Sequence, residues 1–157
     1  MKKVLVTGGA GFIGSHLVER LVKDRYNVVV IDDLSLGKED NLSTVKNKVK
    51  FYKRSICEDL SDIFEKEKFD CVFHVAALPR VQFSISQPIK THEVNVNGTL
   101  NLLNLCKEYN VKRFVFSSSS SVYGEQKDMP LKEEMEPNPM SPYALHKLIG
   151  EYYCYLF

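Results

Sequence analysis

Apolar residues recur along this chain at two alternating periods: short continuous runs suited to buried strands, and the three-and-four spacing of helices. Val4 to Val6 is the first run, and Ile13, Leu17, Val18, Leu21 and Val22 follow at helical spacing, which predicts a helix over about Gly11 to Asp24. Val28 to Asp32 reads as strand two, and the polar DDLSLGKEDN segment then leads into a short helix near Lys38 to Lys46. Strand three is expected at Val49 to Lys53, a helix at Leu60 to Lys66, and strand four at Phe69 to Val75. The segment AALPRVQFSISQP reads as a long loop before the longest helix, about Ile89 to Tyr109, with Pro88 suited to its first turn. Val111 to Ser117 is strand five, and a last helix runs from about Ser141, with Pro142 near its start, to the terminus. Strands alternating with helices from end to end imply an α/β fold whose parallel sheet is covered on both faces.

Chemistry enters at the first junction. Gly8, Gly11 and Gly14 stand three apart between strand one and its helix. In such a turn the first glycine allows a tight reversal, the second a close approach of main chain to a pyrophosphate, and the third close packing of helix on strand. The phosphates would lie on the helix N-terminus, where unpaired N–H groups and the helix dipole favour an anion. A glycine pattern alone is weak evidence, but Asp32 ends the next apolar run 18 residues beyond Gly14, where an acid on an adenosine ribose is expected. The sequence therefore predicts a Rossmann-type doubly wound sheet, five strands in the order 3-2-1-4-5, and a dinucleotide site.

Two further patterns extend that site. Ser117 to Ser121 directly follow Phe114-Val115-Phe116, so these hydroxyls occupy the carboxyl end of a strand, where ligands bind in open α/β sheets. Tyr143 and Lys147 are four apart on the last helix and share a face. A phenol is a poor base near neutral pH unless a cation stands beside it, and the lysine supplies one. His74, between Phe73 and Val75, reads as a satisfied core histidine rather than a base; Arg80 reads equally as a phosphate or substrate contact and as a surface residue.

Composition narrows the partners. The chain has 157 residues, enough for one domain with a proper core. With 21 basic and 20 acidic residues and a net charge of +1, neither nucleic acid nor an anionic membrane is expected as a partner. Cys57, Cys71, Cys106 and Cys154 lack metal or redox spacing, so no metal site is expected and they read as buried free thiols of a reducing compartment. The opening apolar run is too short for a signal segment or a membrane span, which points to the cytoplasm.

TGGAGFIG, HVAA, FSSSSSVYG and SPYALHK together resemble the extended short-chain dehydrogenase/reductase family, marked by Tyr-x-x-x-Lys with an upstream Ser or Thr. Within it, DDLSLG, AALPRVQFSISQP and NVNGT are similar to the UDP-sugar 4-epimerases. The resemblance implies reversible oxidation of a nucleotide sugar at C4 with NAD, and Ser119, Tyr143 and Lys147 as the catalytic set. It also implies cofactor contacts from Gly8, Gly11, Phe12, Ile13, Gly14, Asp32, Asp33, Leu34, Ser35, Gly37, Ser55, Ile56, Ala76, Ala77, Leu78, Asn95, Ser117, Tyr143 and Lys147. A UDP-sugar and a second copy of the chain are the partners it implies. The related 4,6-dehydratases usually carry Asp-Glu before Val-Tyr-Gly; here the pair is Ser120-Ser121, which disfavours dehydration. The family's Asp-Ile after strand three is Ser55-Ile56, a neutral acceptor of shorter reach for the adenine amine. Family members continue beyond the Tyr-Lys helix with another strand and a substrate domain, whereas this sequence ends at Phe157. The expectation is an amino-terminal Rossmann domain, residues 1–157, that binds NAD at best and associates through an uncovered strand-five edge. Alternatives are a dehydratase or reductase of the same family, or a non-catalytic dinucleotide-binding module.

Overall fold

The computed structural model describes residues 2–157. Five strands, β1 (Lys3–Thr7), β2 (Asn27–Ile31), β3 (Val49–Tyr52), β4 (Cys71–His74) and β5 (Arg113–Phe116), form one all-parallel sheet in the order β3-β2-β1-β4-β5. This is the order expected for a Rossmann-type sheet. The inner strands β1 and β2 are apolar on both faces, and their alternate residues enter different cores. Val4, Val6, Val28 and Val30 pack with Val18 and Leu21 of helix α1 (Phe12–Lys23) and with Leu42 and Val45. Leu5, Val29, Ile31 and Val72 face the other way, onto Ile63 and Phe64 of α2 (Ser61–Glu67) and further residues of the second core.

The connections differ from the sequence reading in three places. The short helix near Lys38 to Lys46 is two 3-10 turns, Glu39–Leu42 and Lys46–Lys48. The expected loop before the long helix contains a helix, α3 (Val81–Ser86). VQFSIS has no helical apolar period; it is held by tertiary contact, with Ser84 fully buried, donating to Val81 O and accepting from Tyr143 N. The long helix is α4 (Pro88–His92) and α5 (Gly98–Glu108) joined by a π turn, Glu93–Asn97, with Pro88 in its first turn as expected. A π turn inserts one residue per turn and often marks a functional site.

The last helix, α6 (Pro142–Leu156), packs against α3, α4, α5 and β5. Tyr143, Lys147 and Gly150 share its inner face, and Gly150 permits the approach: a Cβ there would sit 2.4 Å from the Phe116 ring. Among the described residues β5 pairs with β4 alone, so its other side is a sheet edge, with Val115 exposed. The thiols are not uniformly buried. Cys106 is enclosed, with burial pushing its pKa up to about 12, but Cys71 and Cys154 are half-buried and Cys57 lies exposed in the turn after β3. Among the described residues no helix is long and apolar enough to cross a membrane.

Candidate active site

The carboxyl ends of the strands open into a groove of about 580 Å³. At its floor Gly8, at φ +70°, donates its N–H to Ile31 O at 2.8 Å and accepts from Gly11 N at 3.1 Å. A Cβ on Gly8 would stand 2.7 Å from the Ala76 backbone, and one on Gly14 would stand 2.1 Å from Gly8 O, so side chains are sterically excluded from both positions. Helix α1 starts here with no side-chain cap and no acid in its first turn. Its first N–H groups and positive dipole end therefore face the groove, as a pyrophosphate requires. Phe12 and Ile13, both exposed, line the wall beside them.

Asp32 stands beside that turn. Its carboxylate accepts from Ala10 N at 2.9 Å and from Leu34 N at 2.8 Å. Burial raises its pKa above the ordinary value, partly offset by these two N–H groups. Both oxygens are thus fixed by backbone, and Leu34 is held at φ +62°, a left-handed conformation costly for a branched side chain. Gly37 packs against Ala10, whose carbonyl accepts from Lys38 N and Asn41 Nδ2, so the loop after β2 is strapped to the glycine turn.

Across the groove, Tyr143 and Lys147 project from α6, both more than nine-tenths buried. Lys147 Nζ donates to Ser117 O at 2.6 Å, lies 4.7 Å from the Phe116 ring centre and 6.0 Å from that of Tyr143. Burial lowers its pKa from 10.5 to about 8. Ser118 Oγ donates to Glu151 on α6 and Ser117 N donates to His74 O, which fixes the end of β5 between β4 and α6. Ser119 caps the 3-10 turn Ser120–Tyr123: its Oγ accepts from Ser121 N at 3.2 Å and Ser121 Oγ at 2.8 Å. Only the bond from Ser121 N has a fixed direction; in the hydroxyl pair either oxygen can donate, so the Ser119 proton is free for another acceptor when Ser121 donates.

The groove is lined by Gly8, Gly11, Phe12, Ile13, Gly14, Asp32, Asp33, Ser35, Gly37, Ile56, Ala76, Ala77, Leu78, Ser117, Tyr143 and Lys147. Leu34, Ser55, Asn95 and Ser119 do not line it. Leu34 acts through its N–H on Asp32. Ser55 turns its hydroxyl to Cys57 N at 3.3 Å. Asn95, in the π turn, is buried and grips the Leu78 backbone from both ends of its amide, accepting from N at 2.8 Å and donating to O at 3.1 Å. His74 supports the same wall. Thr99 Oγ1 donates to Asn95 O, so His74 Nε2–H donates to Thr99 Oγ1 at 2.9 Å, and Nδ1 accepts from Thr7 Oγ1 at 2.7 Å. Burial first, and the Lys147 charge second, push the His74 pKa down to about 3, so it is a neutral core brace.

Residues not anticipated from sequence also line the groove, among them Arg54, Phe83, Lys90 and Val94, and Ser118 of the expected hydroxyl run lies there too. Phe83 falls in the segment read as loop, Lys90 in α4 and Val94 in the π turn.

This sheet order, with its glycine turn and a buried Tyr-Lys pair over the fifth strand, defines a nucleotide-binding protein of the extended short-chain dehydrogenase/reductase type. Residues 5–157 match the family model described as GDP-mannose 4,6 dehydratase, and the chain belongs to that family. It is 38% identical, over 98% of its length, to a putative UDP-glucose 4-epimerase of Methanocaldococcus jannaschii, of which it covers 50%. The UDP-glucose 4-epimerase of Thermotoga maritima, solved with UDP-glucose, superposes with a TM-score of 0.94 at 40% identity, over 98% of this chain and 50% of that one. That of Thermus thermophilus, solved with NAD, gives 0.93 at 39% identity, again over 98% and 50%. The chain thus spans about half the length of the relatives it matches.

Proposed function

We propose that this chain is the NAD-binding part of a UDP-sugar 4-epimerase, an isomerase working through a 4-keto sugar. One observation carries the reading: Tyr143 and Lys147 line the same groove as the glycine turn and Asp32, so proton transfer and dinucleotide binding share one cavity. The glycine turn, the open α1 N-terminus and the two-oxygen alignment of Asp32 suit the pyrophosphate and adenosine ribose of NAD. When bound, the nicotinamide supplies the acceptor and donor of the hydrogen at C4. Tyr143 Oη, as phenolate, takes the proton of the C4 hydroxyl and returns it in the reverse half-reaction, so the residue is restored after each turnover. Ser119, just beyond the groove-lining Ser117 and Ser118, is the hydroxyl assigned to the same oxygen, and reaching it requires the Ser119 side chain to turn from Ser121 toward the groove. Lys147, protonated below about pH 8, places a positive charge near the Tyr143 ring and orders the end of β5 through Ser117. A UDP-sugar substrate, a cytoplasmic location and a homodimeric state belong to the same reading.

The family model's own description favours a second reading, 4,6-dehydration. Eliminating water requires an acid and a base beside the sugar, and the positions that would hold them are the neutral hydroxyls of Ser120 and Ser121. The epimerase reading therefore stands first. In the protein expressed from its complete coding sequence, Tyr143→Phe is expected to lower kcat by roughly 10²–10⁴-fold while leaving NAD affinity near wild type. Near-normal epimerisation of UDP-glucose and UDP-N-acetylglucosamine by that variant rejects the assignment.

A further inference from the structure

Phosphates at the glycine turn and a ribose at Asp32 place the adenine further along the sheet, toward the end of β3, where Arg54 and Ile56 line the groove with Asp33. Serine at position 55 does not supply an acceptor there, because its hydroxyl turns to Cys57 N. The side chain that reaches this wall is the neighbouring arginine, and a cation next to an adenosine ribose is the usual means of admitting a 2′-phosphate. Its surroundings oppose that use. Arg54 Nε donates to Glu58 Oε2, Nη2 donates to Asp59 O at 2.6 Å, and Nη1 lies 3.9 Å from Asp62 Oδ1. All three nitrogens are directed at the 58–62 turn. Glu58 is itself fixed, since its other oxygen accepts from Ser55 N at 3.1 Å.

We propose that the Arg54–Glu58 pair determines cofactor specificity: Glu58 holds Arg54 so that the guanidinium serves as a wall for the adenine while its charge stays committed, and the site refuses a 2′-phosphate. A planar guanidinium packs well against a flat heteroaromatic ring. As a contribution to stability an exposed pair of this kind is minor. As a control on charge it is not, because without Glu58 the guanidinium keeps its bond to the neutral Asp59 carbonyl and is countered by the Asp62 carboxylate at 3.9 Å, which leaves more of its charge to act on the ribose side. The inference rests on the reading of the groove as a dinucleotide site.

Glu58→Gln keeps the side chain's shape and an oxygen for Ser55 N, and replaces the oxygen that accepts from Arg54 Nε with an NH2 donor, so the charge and the bond to Arg54 are removed together. Titrating NAD and NADP by calorimetry against wild type, E58Q, R54A and the double variant R54A/E58Q tests the pair, with thermal midpoints reporting the fold. The expected results are tighter NAD than NADP binding by wild type, a roughly tenfold gain in NADP affinity in E58Q with NAD little changed, and several-fold weaker NAD binding in R54A. The NADP gain should vanish in R54A/E58Q. A gain that persists without Arg54 would mean Glu58 acts only as a remote negative charge, and an unchanged NADP to NAD ratio in E58Q would mean the pair has no part in specificity; either overturns the inference while leaving the dinucleotide site intact. Wild type that binds neither dinucleotide overturns both.

Discussion

Lys147 is enclosed with its ammonium bonded to a carbonyl rather than to a carboxylate, and burial brings its pKa from 10.5 to about 8. The folded pKa lies below the unfolded one, so below pH 8 the fold carries a buried charge at a cost. Between about pH 8 and 10.5 the unfolded chain binds this proton more than the native one does, and the group's contribution to stability rises with pH. Lys147→Met is predicted to stabilise the fold at pH 7 by about 1–3 kcal/mol, less the lost hydrogen bond to Ser117, and to remove that rise. Denaturant melts of both proteins at pH 7 and pH 10 check this; a less stable variant at pH 7 contradicts it. Asp32 leads to another expectation: Asp32→Ala should weaken NAD and narrow its advantage over NADP, because the carboxylate accepts from a ribose hydroxyl and repels a 2′-phosphate. Single residues were unevenly legible. Gly8, Gly14, Asp32 and the core placement of His74 follow from local pattern, because each need is local: a reversal, a close approach, an apolar strand. Asn95 reads from sequence as a cofactor contact but braces Leu78, and the wall position expected of Ser55 belongs to Arg54, since neither side-chain direction is set by neighbours in sequence.

Among the elements, α2 is tied to the sheet by one carboxylate. Glu67 accepts from Lys3 Nζ of β1 at 2.9 Å, from Tyr52 Oη of β3 at 2.7 Å and from Lys50 Nζ. Burial alone would raise its pKa, but the bonds from Lys50, Tyr52 and Lys3 outweigh it and hold the carboxyl near 2 against the usual 4.5. A depressed carboxyl pKa stabilises the fold above about pH 4.5, and that contribution is lost as pH falls toward 2. Glu67→Gln should therefore cost about 1 kcal/mol at pH 7, the lysines being reached by solvent, and flatten the acid limb of stability between pH 2 and 4.5. An unchanged acid limb would show that the cluster is decorative. Strand order was readable because apolar runs alternate with helical periods, leaving few right-handed connections. Helix α3 and the π turn were not. The first is stabilised by Ser84 meeting α6, the second brings Asn95 to Leu78, and both depend on partners distant in sequence.

For the whole molecule, the doubly wound sheet explains why residues as far apart as Gly8, Asp32, Ala76, Ser117 and Tyr143 line one groove: each follows or overlies the carboxyl end of a strand. The chain spans about half the length of its relatives, and its groove is built by the sheet together with α3, α4 and α6. The central claim is that a hydrogen leaves C4 of a UDP-sugar and returns to the same carbon on its other face. UDP-glucose deuterated at C4, turned over by the protein from its complete coding sequence, tests it directly. The account predicts UDP-galactose with the deuterium still at C4 and no solvent hydrogen there, formed roughly 10²–10⁴-fold more slowly by Tyr143→Phe. Deuterium transferred to C6 with loss of water, or exchanged at C4 for solvent hydrogen, would contradict it.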